Sequence, residues 1–445
     1  MSLADTARNM SASQRDIITI FMIALLLRVV YLLLMAGQYT SLVILHLLDD
    51  SQTYISIAKY IMGVNVAGAD DLLLAGPGYS FLLAIAFKLF GITSWPILSL
   101  QIILSSLSCI YIYKISHILF NNRKISFIAA ILAATSLTSI SLSAAILTES
   151  LFFFLLVLAI FYFFTGLNNG KWKYFVFCGI MLGISTLIRS VGLFFPVILI
   201  FMAFVYPLKS SVLSRKTALI RSIVTGLILI IVALPWAIKN KSEHQIFTVS
   251  ETGALAARNY LCSRVIYEAE SRKSLIELRD WMASPKMIQG RPETASERHA
   301  HAIAVIKDVF SRYPGTFIKV FFENIFDNIG ALSTIHTLQL PQFRDEFGIY
   351  TDKMFTKGNS LLVFFLSLIG FVLLLWDGKK REAFVLASIY GYFAFLSGFT
   401  YWQGSRIFYP GQLAWTILVA VTLHQISLAA RKIINYLELK QSSTA

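Results

Sequence analysis

The chain has 445 residues, 57% of them hydrophobic and only 14% charged, with a mean hydropathy of +0.70. That composition excludes an ordinary soluble enzyme and points to a membrane protein. The net charge of +14 does not indicate nucleic acid, because the basic residues fall in short clusters between apolar runs, as in cytoplasmic loops that face anionic lipid.

A membrane-spanning helix needs about 20 mostly apolar residues. In chain order, spans are predicted at 17–36, 95–119, 125–142, 150–166, 173–189, 191–207, 219–238, 359–376, 383–400 and 407–428. The first follows Arg8 and Arg15 without a small-residue cleavage site, so it reads as a signal anchor. After it comes HLLDDSQTYISIAKYI (His46 to Ile61), then a shorter apolar stretch, Pro77 to Phe90, that carries Lys88. If that stretch lies along the interface, Arg8, Arg15, Arg123, Lys124, Lys171, Lys173, Lys209, Arg215, Lys216, Arg221, Lys379, Lys380, Arg381, Arg431 and Lys432 share one side. If it crosses, the later clusters land opposite the N-terminus. The positive-inside rule selects the first topology: ten spans, cytoplasmic termini, and the Asp49-Asp50 motif outside. The domains expected are a transmembrane core, 1–238, with a first outer loop at 37–91; a mixed polar outer domain, 239–358; C-terminal spans, 359–430; and a cytoplasmic tail, 431–445. Within the outer domain, helix-like stretches run from Arg272 to Met282 and from Ser296 to Tyr313. Gln441 to Ala445 reads as a disordered tail. Cys109, Cys178 and Cys262 form no CxxC spacing and imply no disulfide framework.

Several charged residues sit against the grain of the chain. Asp49 and Asp50 adjoin a membrane span, and on a helix Asp50 shares a face with Tyr54, one turn on. The pair serves equally as the acidic first turn of a helix or as the general base of a catalyst. Glu149, in ILTESLFF, opens a span on the same side, with Thr148 as its N-cap; a cap explains it unless it is aimed at the first acid. Arg189, in STLIRSVGLFFP, lies where two spans meet on the outer side, where a guanidinium either snorkels or binds an anion bidentately. Arg406, in YWQGSRIFYPGQ, repeats that pattern, and Arg258, in GALAARNY, is a further phosphate contact or a surface arginine. Arg28, inside the first span, is expected to reach the interface with its long stem. In PWAIKNK, Trp236 with Lys239 and Lys241 reads as an aromatic belt with snorkelling lysines at a span end. His299 and His301, two apart, diverge on a helix and make a poor metal pair.

In their order and spacing these stretches resemble the polytopic lipid-dependent glycosyltransferases of the GT-C fold. Within them the likeness is to the bacterial branch related to protein O-mannosyltransferases and lipid A aminoarabinose transferases. LLDDSQTYISIAKYI matches the acidic motif of the first outer loop, and AGPGYSFLLAIAFKLFG, with Tyr79, matches the Pro-containing juxtamembrane helix. ILTESLFFF, LIRSVGLFFP, PWAIKN and GSRIFYPGQLAW match the later acidic, basic and Pro-Trp positions. The resemblance implies an all-α polytopic GT-C fold with about ten spans, juxtamembrane helices in the first outer loop, and a periplasmic domain. It implies transfer of a sugar from a polyprenyl-phosphate donor to a glycan, lipid or protein acceptor at the outer face of a bacterial inner membrane.

On that reading Asp50, chosen over Asp49 by the Asp-x-x-x-Tyr spacing, is the base, with Glu149 shaping the site or sharing the task. Arg189, Arg258 and Arg406 hold phosphate, and Tyr54 and Tyr79 line the substrate site. No cofactor is required; the Asp49/Asp50 pair permits a divalent cation, Mg²⁺ or Mn²⁺, without demanding one. One departure matters: Ala75 and Gly76 stand before Pro77, where some relatives carry charged residues or histidine, so acceptor specificity does not transfer. Two other classes stay open: a transporter or flippase of lipid-linked glycans, for which the expected duplicated halves are not visible, and a polymerase or ligase relying on outer arginines alone.

Overall fold

A computed structural model describes residues 11–45, 49–64, 73–206, 208, 212–284, 286–288, 291–330, 356–401 and 405–442. Arg8, Lys209 and the end of the tail lie outside these residues, as does the side chain of Asp49. Among the described residues the architecture is all-α apart from one two-stranded antiparallel ribbon.

Helix α1 (Ala12–Ala36) starts from a capping box in which Ser11 and Gln14 satisfy each other's backbone donors. Short α2 (Ser41–Leu45) leads to α3 (Asp49–Ile61) and α4 (Pro77–Phe90), whose first residue is proline, suited to the first helical turn. Next come α5 (Trp95–Phe120) and α6 (Arg123–Ala134); the Asn122 side chain accepts from the amides of Lys124 and Ile125. A break bent by 52° separates α6 from α7 (Leu137–Ser143). The bundle continues through α8 (Glu149–Asn169), α9 (Trp172–Ile188), α10 (Phe195–Val205) and α11 (Arg215–His244).

The polar stretch that follows holds α12 (Thr252–Ala256), a π-helical turn (Ala257–Cys262), α13 (Ser263–Ala269) and α14 (Leu275–Ala283). Then come the ribbon β1 (Met287–Ile288) and β2 (Arg291–Pro292), α15 (Ala295–Arg312) and α16 (Pro314–Gly330). Last are α17 (Thr356–Trp376), α18 (Lys380–Ser397), α19 (Ser405–Phe408) and α20 (Gln412–Ser442). The two helix-like polar stretches expected from sequence are thus α14 and α15, shifted by a few residues at their ends.

Among the described residues, five helices are long and apolar enough to cross a bilayer, and the bent pair α6/α7 makes six. Helices α4, α9, the run Ser190–Val205 and Leu361–Trp376 are apolar but shorter. The chain is a polytopic membrane protein; the expectation of ten spans goes beyond this count. Helix α4, at about 1.5 Å per residue, falls short of the roughly 30 Å hydrocarbon core. Its N-terminus instead packs on the end of α9, where a Cβ on Gly76 would stand 2.2 Å from the Leu187 carbonyl oxygen. Only glycine permits that approach.

Phenylalanines fill the middle of the bundle: Phe152, Phe163, Phe164, Phe175 and Phe195 are fully buried, and Phe163 meets Phe175 edge to face at 5.9 Å. A separate apolar cluster, including Leu261, Cys262, Val265, Met282, Val309 and Val320, holds the polar-segment helices together. Asp16 pairs with Arg123, Asn122 with His424, and Arg221 donates to the Gly170 carbonyl, so these basic helix ends gather at one end of the bundle. The opposite end carries the start of α8, the end of α9 and the start of α19.

The span predicted at 219–238 lies within a helix that runs on to His244, with Pro235 inside it and Lys239 over the Trp236 ring at 4.8 Å. One expectation is corrected. Arg28 does not reach an interface: its side chain is fully buried among α1, α5, α6 and α7. The hydroxyls of Ser105 and Ser139 and the open end of α6 supply polar partners that make this possible.

Candidate active site

Four charged residues from four distant parts of the chain converge. Glu149 is the first residue of α8, where a helix N-terminus favours a carboxylate. Its side chain is 1% exposed, and its Oε1 lies 2.6 Å from Arg189 Nη1 and 2.6 Å from Arg406 Nε. Arg406 also reaches Asp50, with Nη2 2.5 Å from Oδ2. The order in space is therefore Asp50, Arg406, Glu149, Arg189: two acids and two bases, formally neutral.

Local structure explains how each side chain arrives. Arg189 leaves α9 in an extended conformation (φ −142°, ψ 120°) while its amide still donates to Ser185, so the side chain swings out of the helical path. Thr148 stands at the N-cap of α8 but makes no cap hydrogen bond; its hydroxyl donates to Glu149 Oε2 at 3.3 Å and accepts from Arg189 Nη1 at 3.1 Å. The residue expected to cap the helix is thus a member of the charge network.

Burial separates the two acids. The Asp50 side chain is 51% exposed, whereas Glu149 is enclosed by its arginines. A cavity of about 300 Å³ opens beside Asp50, lined by Tyr54, Thr148, Arg189 and Arg406 from the bundle and by Thr252, Asn259 and Tyr260 from the polar segment. Tyr54 lies against Tyr79, edge to face at 5.2 Å. Burial, and next the charges of Asp50 and Glu149, push the Tyr54 hydroxyl up to about 12, so it stays a neutral hydrogen-bond donor at physiological pH.

Of the sequence candidates, Asp50, Tyr54, Glu149, Arg189 and Arg406 come together at this cavity. Tyr79 does not line it: it is fully buried behind Tyr54 and donates to Gln101 Oε1 at 2.7 Å, while Gln101 Nε2 donates to the Ala145 carbonyl at 2.6 Å. Arg258 also stands off the cavity, buried, with Nε on Asn259 Oδ1 at 2.8 Å and Nη1 3.5 Å from His301 Nδ1. Its neighbours Asn259 and Tyr260 are the ones that face the cavity, because the π-helical turn slips the side-chain register there. No signal in the sequence marks that turn.

Chemically, two guanidiniums at one mouth suit a phosphate, and a half-exposed carboxylate beside them suits proton abstraction. The described residues contain no group of three or more His, Cys, Asp or Glu able to hold a metal. Asp50 and Glu149 are already shared by Arg406, so these two alone do not make a cation cage.

Comparison with known proteins adds three findings. Residues 75–236, just over a third of the chain, match the family model described as dolichyl-phosphate-mannose-protein mannosyltransferase. No curated protein matches the sequence. Among solved structures, the oligosaccharyltransferase AglB from Archaeoglobus fulgidus, in complex with an inhibitory peptide and a dolichol-phosphate, aligns with a TM-score of 0.54 at 16% identity, over 97% of this chain and 52% of that one. The same archaeal enzyme in complex with Zn and sulfate aligns equally, over 96% and 51%. ArnT from Cupriavidus metallidurans, bound to undecaprenyl phosphate, aligns at 11% identity with a TM-score of 0.41, over 93% and 78%. The chain spans about half the length of the oligosaccharyltransferase, and over nearly all of its own length it shares that enzyme's fold, a GT-C-like helical architecture.

Proposed function

We propose that this chain is an integral-membrane glycosyltransferase that moves a sugar from a polyprenyl-phosphate donor to a glycan, lipid or protein acceptor. The observation that carries the reading is the Asp50–Arg406–Glu149–Arg189 chain at the mouth of the cavity. In the reaction, an acceptor hydroxyl attacks the anomeric carbon, the bond from that carbon to the phosphate oxygen breaks, and polyprenyl phosphate leaves. Arg406 and Arg189 stabilise the charge that grows on the leaving phosphate, where fixed donors contribute most. Asp50 takes the acceptor's proton.

The ion pair between Arg406 and Asp50 gives the two roles an order. A donor phosphate competes for Arg406, and as it binds, the Asp50 carboxylate is freed from its ion pair to meet the acceptor hydroxyl. Glu149, buried between both guanidiniums, keeps them from splaying apart and positions rather than reacts. Tyr54 donates from its neutral hydroxyl toward the same space, with Tyr79 as its support. Arg258 holds the polar segment above the site rather than the phosphate. The archaeal relative was solved with Zn, and the Asp49/Asp50 pair permits a divalent cation without requiring one.

The same reading places ten spans in the membrane: α1, α5, the bent pair α6/α7, α8, α9, α10, α11, α17, α18 and α20, with α4 along the interface. The gathering of basic residues at the end opposite the site supports cytoplasmic termini and an active site facing the periplasm of a bacterial inner membrane. The test is purified protein in nanodiscs incubated with a panel of polyprenyl-phosphate sugars. Release of polyprenyl phosphate from at least one donor supports transfer; no release from any, with movement of donor across the bilayer, would assign the chain to transport.

A further inference from the structure

Arg28 lies inside α1, and none of its side chain reaches the surface. All five of its N–H donors have acceptors, and none is a carboxylate. Nε donates to Ser105 Oγ at 2.9 Å; Nη1 donates to the Ala24 and Ala134 carbonyls at 3.0 and 3.2 Å; Nη2 donates to Ser139 Oγ at 2.7 Å and lies 3.9 Å from Cys109 Sγ. A buried guanidinium without a counter-ion is costly, and a span that needed only packing would carry an apolar side chain there. The acceptors suggest what offsets that cost. Ala134 is the last residue of α6, so its carbonyl sits at the negative end of that helix, while Ser139 belongs to α7 beyond the bend. Arg28 thereby ties both sides of a broken helix to α1 and α5.

The contacts continue from α7 to the site. Ser139 Oγ lies 3.2 Å from the Tyr409 hydroxyl, and Thr138 Oγ1 lies 2.8 Å from Ser405 Oγ. Ser405 and Tyr409 bracket Arg406, the residue that bridges Asp50 and Glu149. Tyr409 is further fixed by Phe153, with ring centroids 4.6 Å apart.

We propose that Arg28 is a positioning residue for Arg406: it holds α7 in place across the bend, and the Ser139–Tyr409 and Thr138–Ser405 contacts hold the short turn that aims the Arg406 guanidinium. Lysine at position 28 would supply three donors from one point and could not serve Ser105, Ala134 and Ser139 together. The proposal rests on Arg406 acting as a ligand of the donor phosphate.

Full-length protein in nanodiscs, matched for folded material by thermal melting, is titrated with polyprenyl phosphate and then assayed for its release from a sugar donor. Arg28→Lys, Ser139→Ala and Tyr409→Phe are compared alone and in an Arg406→Lys background. Each is expected to weaken polyprenyl-phosphate binding about fivefold on its own and to add no further loss once Arg406 is lysine, since coupled residues are not additive. A general loss of structure would multiply in both backgrounds instead. Ser139→Ala and Tyr409→Phe each remove one hydroxyl and decide the matter if Arg28→Lys does not fold. If the wild type binds but these variants bind equally well, or if the losses multiply with Arg406→Lys, the positioning role is wrong. If the wild type itself fails to bind polyprenyl phosphate, the phosphate reading of Arg406 falls and takes this inference with it.

Discussion

Glutamine at position 149 is the sharpest perturbation of the charge network. It keeps the shape of the side chain but removes the one charge that Arg189 and Arg406 share. Each contact is 2.6 Å long, and at an effective dielectric of about 20 such a pair attracts by about 6 kcal/mol before the cost of desolvating both partners. Deleting one partner of a buried pair leaves about 3–5 kcal/mol of net destabilisation. Arg406 keeps Asp50, and Arg189 is 18% exposed and can recruit water, so the lower end, about 3 kcal/mol, is expected. Thermal melting in nanodiscs measures it. Added polyprenyl phosphate replaces the missing negative charge, so it should raise the melting temperature of Glu149→Gln more than that of the wild type; saturation at a hundred times Kd stabilises by about 2.7 kcal/mol. A variant that melts with the wild type, or gains less from the lipid phosphate, would show that Glu149 does not hold the arginines.

Arg406→Lys keeps the charge but loses the fork, and turnover should fall by about a hundredfold with a smaller change in KM, read from initial rates over a donor titration. Tyr54→Phe should leave the pH-rate profile unchanged in shape below pH 9, because the hydroxyl is held up to about 12 and does not titrate there. The sign follows from linkage: a raised folded-state pKa costs no stability below about pH 10 and lowers it progressively between about 10 and 12, where the unfolded chain releases the proton first. Tyr54→Phe should therefore lose less stability than the wild type over that range in alkaline melts. If the two guanidiniums neutralise the leaving phosphate, EDTA should reduce polyprenyl-phosphate release by less than about twofold; a larger loss restored by Mn²⁺ would transfer that task to a cation.

Much of the molecule was legible because membrane helices advertise themselves. The apolar runs gave the order of the helices, and the scattered lysines and arginines arranged their ends. Asp50 and Tyr54 were readable from a one-turn spacing, and Arg189 and Arg406 stood out as charges where apolar spans meet. Their convergence was not readable: Arg406 lies 257 residues from Glu149 and 356 from Asp50, and no local pattern links them. Thr148 looked like a cap because N-cap preference and a network role call for the same hydroxyl. Arg258 stands off the cavity because a π turn moves its neighbours Asn259 and Tyr260 into the wall in its place. Arg28 was misread because snorkelling is judged from one helix, whereas its acceptors come from three others.

The most direct test of the account is Asp50→Asn, shown by melting to be folded and by protease protection to be inserted, assayed in nanodiscs for release of polyprenyl phosphate from whichever donor the wild type uses. Release is expected to fall by about two or more orders of magnitude, roughly the contribution of a positioned base together with the order it imposes, while polyprenyl phosphate still binds. Full release by Asp50→Asn would contradict it and move the chemistry away from this carboxylate.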